Sequence, residues 1–287
     1  TLNLQNQKNA LFYHFHVAQP DAFIRFLGLF KNARFIQIIR EPVQCLESWI
    51  YTCFPKGNHA QSIEDILKKN KDASLLQDKS NLVHLEGYDQ AANYVEGIFS
   101  GCDNFMFNFA PAMIVRLEDV KRRPREIMPV IANWIGVEDD ESLYTPTFQG
   151  QYYQGPKSSL HPQLKGFETT NIDRDLGVLF SKRDQFIFKT LLYPARVRFG
   201  YQQPDPDGHK KNLKTVETFL DEPLDFEVNL YNSLQGISTP LKGLRQYRYL
   251  HNLLKSQFKS VSNGHCPNER PSDEVKLSAD LLETAPI

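Results

Sequence analysis

The stretch FIQIIREPVQCLESW, residues 35–49, decides how this chain is read. ARFIQII (33–39) is a continuous apolar run, which predicts a strand buried on both faces of a parallel sheet. It stops at Arg40, and PVQCLESWIYTCF (42–54) then predicts a helix. In open parallel sheets, ligands bind in the crevice beyond the carboxyl ends of the strands, where Arg40 would stand. The N-terminus of the following helix would point free N–H groups into the same crevice. A guanidinium offers a planar fork of donors that matches a phosphate and stays charged at any working pH. Ser48, about two turns into the helix, would add a hydroxyl. These groups predict a grip on a dianion. The plain alternative is that Arg40 pairs with a surface carboxylate and Ser48 is an exposed helix residue.

Outward from this segment, strand and helix signals alternate. LFYHFHV (11–17) predicts a strand, and QPDAFIRFLGLFK (19–31), with Pro20 at its start, an amphipathic helix. Ser62 and Asp65 predict a capped helix in SIEDILKKN, and YDQAANYVEGIFSG (88–101) predicts another. AMIVRL (112–117) predicts the next strand, and RPREIMPVIANWIG (123–136) a helix stopped by Gly136. Ser181 and Asp184 cap a last long helix over 182–200, kinked at Pro194. This order predicts an α/β fold, a three-layer parallel sheet with helices on both faces and right-handed crossovers, over residues 1–203.

The character changes after residue 203. Residues 204–238, polar and rich in Pro and Gly at their start, predict a linker, and 239–261 an amphipathic basic helix. That helix carries Leu241, Leu244, Leu250, Leu254 and Phe258 as a stripe, with basic side chains around it and no acid between 241 and 260. It either packs on a core or partner, or lies on a membrane surface. The tail, 262–287, reads as disordered by composition.

With a net charge of −1, the chain has no global attraction for nucleic acid or anionic membranes, so any anion site depends on local lysines and arginines. No apolar run approaches the ~18 residues that a membrane-spanning helix needs. Cys45, Cys53, Cys102 and Cys266 have no paired spacing, so neither a zinc site nor a disulfide framework is expected. Free thiols suit the cytoplasm; the Golgi lumen is the alternative. The chain begins with Thr1, which suggests that an N-terminal segment precedes it.

ARFIQIIREPVQCLESW resembles the 3′-phosphate-binding segment of the sulfotransferase family: a strand, an Arg-(acidic or Asn)-Pro turn, and a serine at this separation on the next helix. IVRLEDVKRRPREIMPVIANWIGV (114–137) resembles that family's next landmark, where a strand runs into a Glu-Asp pair, a basic stretch and a helix ending in glycine. YPARVRFGY (193–201) resembles the basic helix end that closes many of its domains. The resemblance spans residues 10–201 and implies a P-loop nucleotide-binding type of fold, with 1–203 as the sulfotransferase domain.

The resemblance further implies the donor 3′-phosphoadenosine 5′-phosphosulfate, its 3′-phosphate on Arg40 and Ser48, and no metal. It implies a general base near the preceding strand. His14 and His16 are candidates there, His16 having the closer spacing, while other branches of the family use a glutamate. Leu117 replaces the tyrosine that neighbours adenine in cytosolic members, and Lys157, in YQGPKSS (153–159), is the nearest analogue of a late Arg-Lys-Gly segment. The family's 5′-phosphosulfate loop has no match here; it should precede residue 1, and without it the chain as written should be catalytically crippled. The acceptor would be a hydroxyl or amine of a carbohydrate, phenol or lipid. Its pocket would be built from loops 55–90 and 138–180, with Tyr144, Phe148, Tyr152, Tyr153 and Phe167 as aromatic walls. A degenerate domain that binds nucleotide or a partner without chemistry is the main rival. A P-loop kinase is a second, lacking an identifiable Walker lysine and magnesium carboxylate.

Overall fold

The computed structural model describes residues 28–30, 34–53, 91–100, 112–145, 147–148, 151–152, 167, 169, 172, 176–228, 245–264 and 275–277. The chain divides into two compact units, Thr1–Arg34 and Phe35–Ile287, and every element below belongs to the second. In chain order these are β1 (Phe35–Ile39), α1 (Pro42–Cys53), α2 (91–100), β2 (Ala112–Arg116), α3 (Leu117–Arg122) and α4 (Pro124–Ile135). They continue with a two-stranded hairpin of β3 (Thr147–Phe148) and β4 (Gln151–Tyr152), then α5 (Lys182–Leu191), α6 (Tyr193–Arg198) and α7 (Pro206–Glu217). The last are α8 (Arg245–Ser262) and β5 (Val275–Leu277). The described residues are mostly helical around a small parallel sheet, compatible with an α/β fold.

β1 and β2 pair in parallel, from Phe35↔Ala112 to Ile39↔Arg116. Ile36, Met113 and Val115 share one face and pack against Ile127 of α4. The expectation that β1 is buried on both faces fails at Ile38, which is 63 % exposed. The reason is lateral position: α4 lies over β2 and reaches Ile36, while β1 is the outer strand of the described sheet. α4 ends where the sequence predicts. Gly136 adopts φ 80°, the left-handed region that glycine enters without steric cost, and its N–H returns to the carbonyl of Ala132.

The larger core is helical. Val43, Leu46 and Ile50 of α1 meet Val95 of α2 and Ile187, Phe188 and Leu191 of α5. The rings of Phe188 and Phe226 flank that of Phe180 at 4.9 and 5.5 Å. Two buried carboxylates fasten loops to this core. Glu47 of α1 accepts the N–H groups of Gly177, Leu179 and Phe180 at 3.0, 2.9 and 2.8 Å. Asp184 of α5 accepts those of Asp225 and Phe226 at 2.8 and 2.9 Å.

The long helix predicted over 182–200 is two helices. Ser181 caps α5, its hydroxyl accepting the N–H of Asp184, and the chain breaks at Leu192 before α6. Pro194 has no N–H for the carbonyl of Thr190 four residues back. His209 of α7 puts Nε2 3.1 Å from that carbonyl oxygen, and Gln257 of α8 donates to the carbonyl of Leu191 at 3.2 Å.

Residues 206–228 are not a linker. Asp205 caps α7 by accepting the N–H of Gly208, Pro206 occupies the first turn, and Val216, Leu220, Leu224 and Phe226 enter the core. The proline and glycine that read as linker signals are a helix start. α8 buries Tyr247, Leu250, His251, Leu254 and Val261, so its apolar stripe faces the core rather than a membrane; Leu241 and Leu244 lie outside the described residues. The tail read as disordered supplies Val275–Leu277, parallel to β2 on the side away from β1. Among the described residues no helix is long and apolar enough to cross a membrane.

Glu47→Ala leaves three N–H groups without their acceptor and should destabilise the fold by about 3 kcal/mol or more, read by urea unfolding. Burial pushes the Asp184 carboxyl up from 3.8 to about 6, against the pull of its two N–H donors. A carboxyl raised on folding contributes stability that is present below about pH 4 and lost as pH rises through about 6. The stability of wild type relative to Asp184→Asn should therefore fall by on the order of 2 kcal/mol between pH 4 and 7 in paired urea titrations.

Candidate functional site

Because β1 and β2 are parallel and in register, their carboxyl ends lie side by side, and each is followed at once by a helix. α1 starts beyond Arg40 and Glu41, and α3 beyond Arg116. The junction is held by acidic side chains. The N–H of Glu41 donates to Oε1 of Glu118 at 2.9 Å, and Oε2 of Glu118 accepts the hydroxyl of Tyr201 at 2.7 Å. Oε1 of Glu41 accepts Nε of Arg196 at 2.8 Å, and Arg196 also bonds the Gln202 side chain. Arg116 forks onto Asp119 at 2.6 and 3.0 Å and donates to the carbonyl of Gly200 at 3.1 Å. Gly200 has φ 73°, which favours glycine, and a Cβ there would press on the Arg116 guanidinium at 3.3 Å. Burial, then the charge of Glu118, pushes the Tyr201 hydroxyl far above the ordinary phenol range, which keeps it a donor.

An open cleft of about 320 Å³ lies at this junction. The three carboxylates that face it, Glu41, Glu118 and Asp119, are all engaged by donors from the protein. Arg116, Arg122, Lys189 and Arg196 face it as well, four cations against those three acids. Among the described residues no group of three or more His, Cys, Asp or Glu is placed to hold a metal ion.

Arg40 is half-buried, and its Nε donates to Oε1 of Gln44 at 3.0 Å; Gln44 in turn donates to the carbonyl of Ile172 at 3.1 Å. Gln44 and Ser48 are four apart on α1 and lie on one helical face, and neither Arg40 nor the half-buried Ser48 is part of the cleft lining. The expectation of free N–H groups at the start of α1 needs correcting. Glu41 folds back and accepts the N–H of Gln44 at 2.7 Å, and Pro42 has no N–H. Leu117 is half-buried at the start of α3 and is not part of the cleft lining. His14, His16, Lys157, Tyr153 and the whole of loop 55–90 lie outside the described residues. Tyr144 stands under the Arg125 guanidinium, 3.8 Å from its ring centroid, with its hydroxyl on Asp139.

Glu41, Glu118, Arg196 and Tyr201 were not foreseen as site residues, although all four lie inside the three segments singled out above. Their pairing spans 77 to 155 residues, and no local pattern encodes it. No protein-family model matches the chain, and no match is found among curated proteins or solved structures.

Cys45, one position beyond Gln44, reports on how closed this corner is. Burial pushes its thiol up to about 12, with the Arg40 charge opposing. Only the thiolate is alkylated, so at pH 8 iodoacetamide should label native Cys45 about 100-fold or more slowly than an ordinary exposed cysteine. Denaturant should abolish the difference, as read by peptide mass spectrometry.

Proposed function

We propose that this chain carries a sulfotransferase domain, a three-layer α/β fold of the P-loop nucleotide-binding type, that takes a sulfuryl group from 3′-phosphoadenosine 5′-phosphosulfate to a hydroxyl or amine. One observation carries the reading. The three segments that resemble the family, 35–49, 114–137 and 193–201, are separated in sequence yet joined by hydrogen bonds at the carboxyl ends of two parallel strands. That edge is where an open parallel sheet binds nucleotides.

In this reading Arg40 and Ser48 hold the 3′-phosphate, Leu117 packs near the adenine, and Lys157 adds a cation. The acceptor oxygen or nitrogen attacks sulfur, the bond from sulfur to the 5′-phosphate oxygen breaks, and 3′-phosphoadenosine 5′-phosphate leaves. His16 takes the acceptor's proton. The acceptor class is a carbohydrate, phenol or lipid. A second reading, a degenerate domain that binds without turnover, is favoured by the self-capped start of α1, which withdraws a backbone donor from the phosphate.

Calorimetry with 3′-phosphoadenosine 5′-phosphate tests the shared premise. The wild-type chain should bind it, and Arg40→Ala should weaken binding by about 2–4 kcal/mol through loss of a charge-assisted fork. Adenosine 5′-phosphate, without the 3′-phosphate, should bind more weakly to wild type and be nearly indifferent to the substitution. Equal affinity of wild type and variant for the 3′-phosphorylated nucleotide would remove Arg40 from the site. Binding without sulfuryl transfer to any acceptor would favour the degenerate domain.

A further inference from the structure

Lys189, in the last turn of α5, is half-buried and borders the cleft at the strand ends. Among the described residues, no hydrogen bond or ion pair engages its ammonium. The acids beside it are taken. Glu41 accepts from Arg196 and from the N–H of Gln44, and Glu118 from the N–H of Glu41 and the hydroxyl of Tyr201. Asp119 accepts the fork of Arg116, so both oxygens of each carboxylate already have a donor. A lysine at the end of a helix can otherwise meet the last carbonyls of its own helix. Those of Thr190 and Leu191 are met instead by His209 and Gln257.

We propose that this cleft binds the oxyanion of a small organic molecule, a sulfate, phosphate or carboxylate, with the Lys189 ammonium as its contact. The lining sets four cations against three acids, and the walls of a cleft concentrate the field of such an excess. An ammonium takes an oxyanion as a point charge through three donors on a flexible stem, without the fork that would demand one orientation. The buried Ile172 and the half-buried Leu176 give the cleft an apolar side, which suits the uncharged remainder of the ligand. At about 320 Å³ the space is at the small end of ligand sites. Arg40 and Ser48 do not line it, so this site does not rest on the nucleotide reading above.

Acetylation of the whole chain by N-hydroxysuccinimidyl acetate, an uncharged reagent, tests this, with inorganic sulfate as the probe and chloride at matched ionic strength as the reference. A sulfate beside the ammonium favours its unreactive charged form. Lys189 should therefore react about threefold or more slowly, saturably, with a half-effect at roughly millimolar sulfate. Phenyl sulfate, whose ring can lie on Ile172 and Leu176, should reach its half-effect at a lower concentration. Lys210 and Lys211, exposed on α7, should react alike in both salts. The rise in melting temperature that sulfate gives over chloride should shrink in Lys189→Gln and return in Lys189→Arg, which keeps the charge. Arg40→Ala should retain the protection of Lys189 whether or not it loses the 3′-phosphorylated nucleotide, so the two readings fail separately. Unprotected Lys189, protection shared by Lys210 and Lys211, or an unchanged sulfate effect in Lys189→Gln would each overturn the site. So would loss of the protection in Arg40→Ala, or phenyl sulfate acting no better than the inorganic ion.

Discussion

The organisation of the strand ends depends on one carboxylate. Glu118 is 8 % exposed, and its two oxygens reach two different parts of the chain, the N–H that follows β1 and the hydroxyl that follows α6. An ionised carboxyl taken out of water is costly unless its lone pairs are met, and both oxygens of Glu118 accept a donor. Glu41, next in line, repeats the arrangement with Arg196 and the start of α1. Polar bonds of this kind have strict geometry. They set the angle at which α1, α3 and α6 approach one another, which a greasy contact of the same area would leave loose.

Local signals carried far. The two parallel strands, the Gly136 stop and the Ser181 cap are visible in the sequence because each depends on neighbours within a few residues. Other features are illegible for a physical reason. Glu41 as a cap over its own helix competes with the anion-binding role that a helix start ordinarily suggests, and only the fold decides between them. Asp205, Pro206 and Gly208 mark a linker or a helix start equally well until the spacing of Val216, Leu220 and Leu224 meets a partner surface. Of the residues first singled out, Arg40, Ser48 and Leu117 are half-buried and none of them lines the cleft, and His16 and Lys157 lie outside the described residues.

The boundary drawn at residue 203 separates parts that share one interior. α7 and α8 bury side chains in the same cluster as α1 and α5, and they serve the carbonyl of Thr190, which Pro194 leaves without its helical donor, and that of Leu191 beside it. Here another element supplies a partner for the carbonyl at the break, where an exposed break would use water. The break in turn aims Arg196 at Glu41, so residues after 203 take part in shaping the strand-end junction.

Glu47 has a consequence for how this architecture can vary. Its carboxylate pins the chain at 177–180 to α1, while Gly136 and the Arg125–Glu141 pair fix the chain where α4 ends. The long connection between these two anchors therefore starts and finishes at fixed points. Closing a loop between fixed ends costs only about 0.6 kcal/mol for each doubling of its length. Insertions and deletions between Tyr152 and Ile172 therefore cost little in closure entropy, while Ile172, buried with its carbonyl on Gln44, has to keep its place beside the strand-end junction.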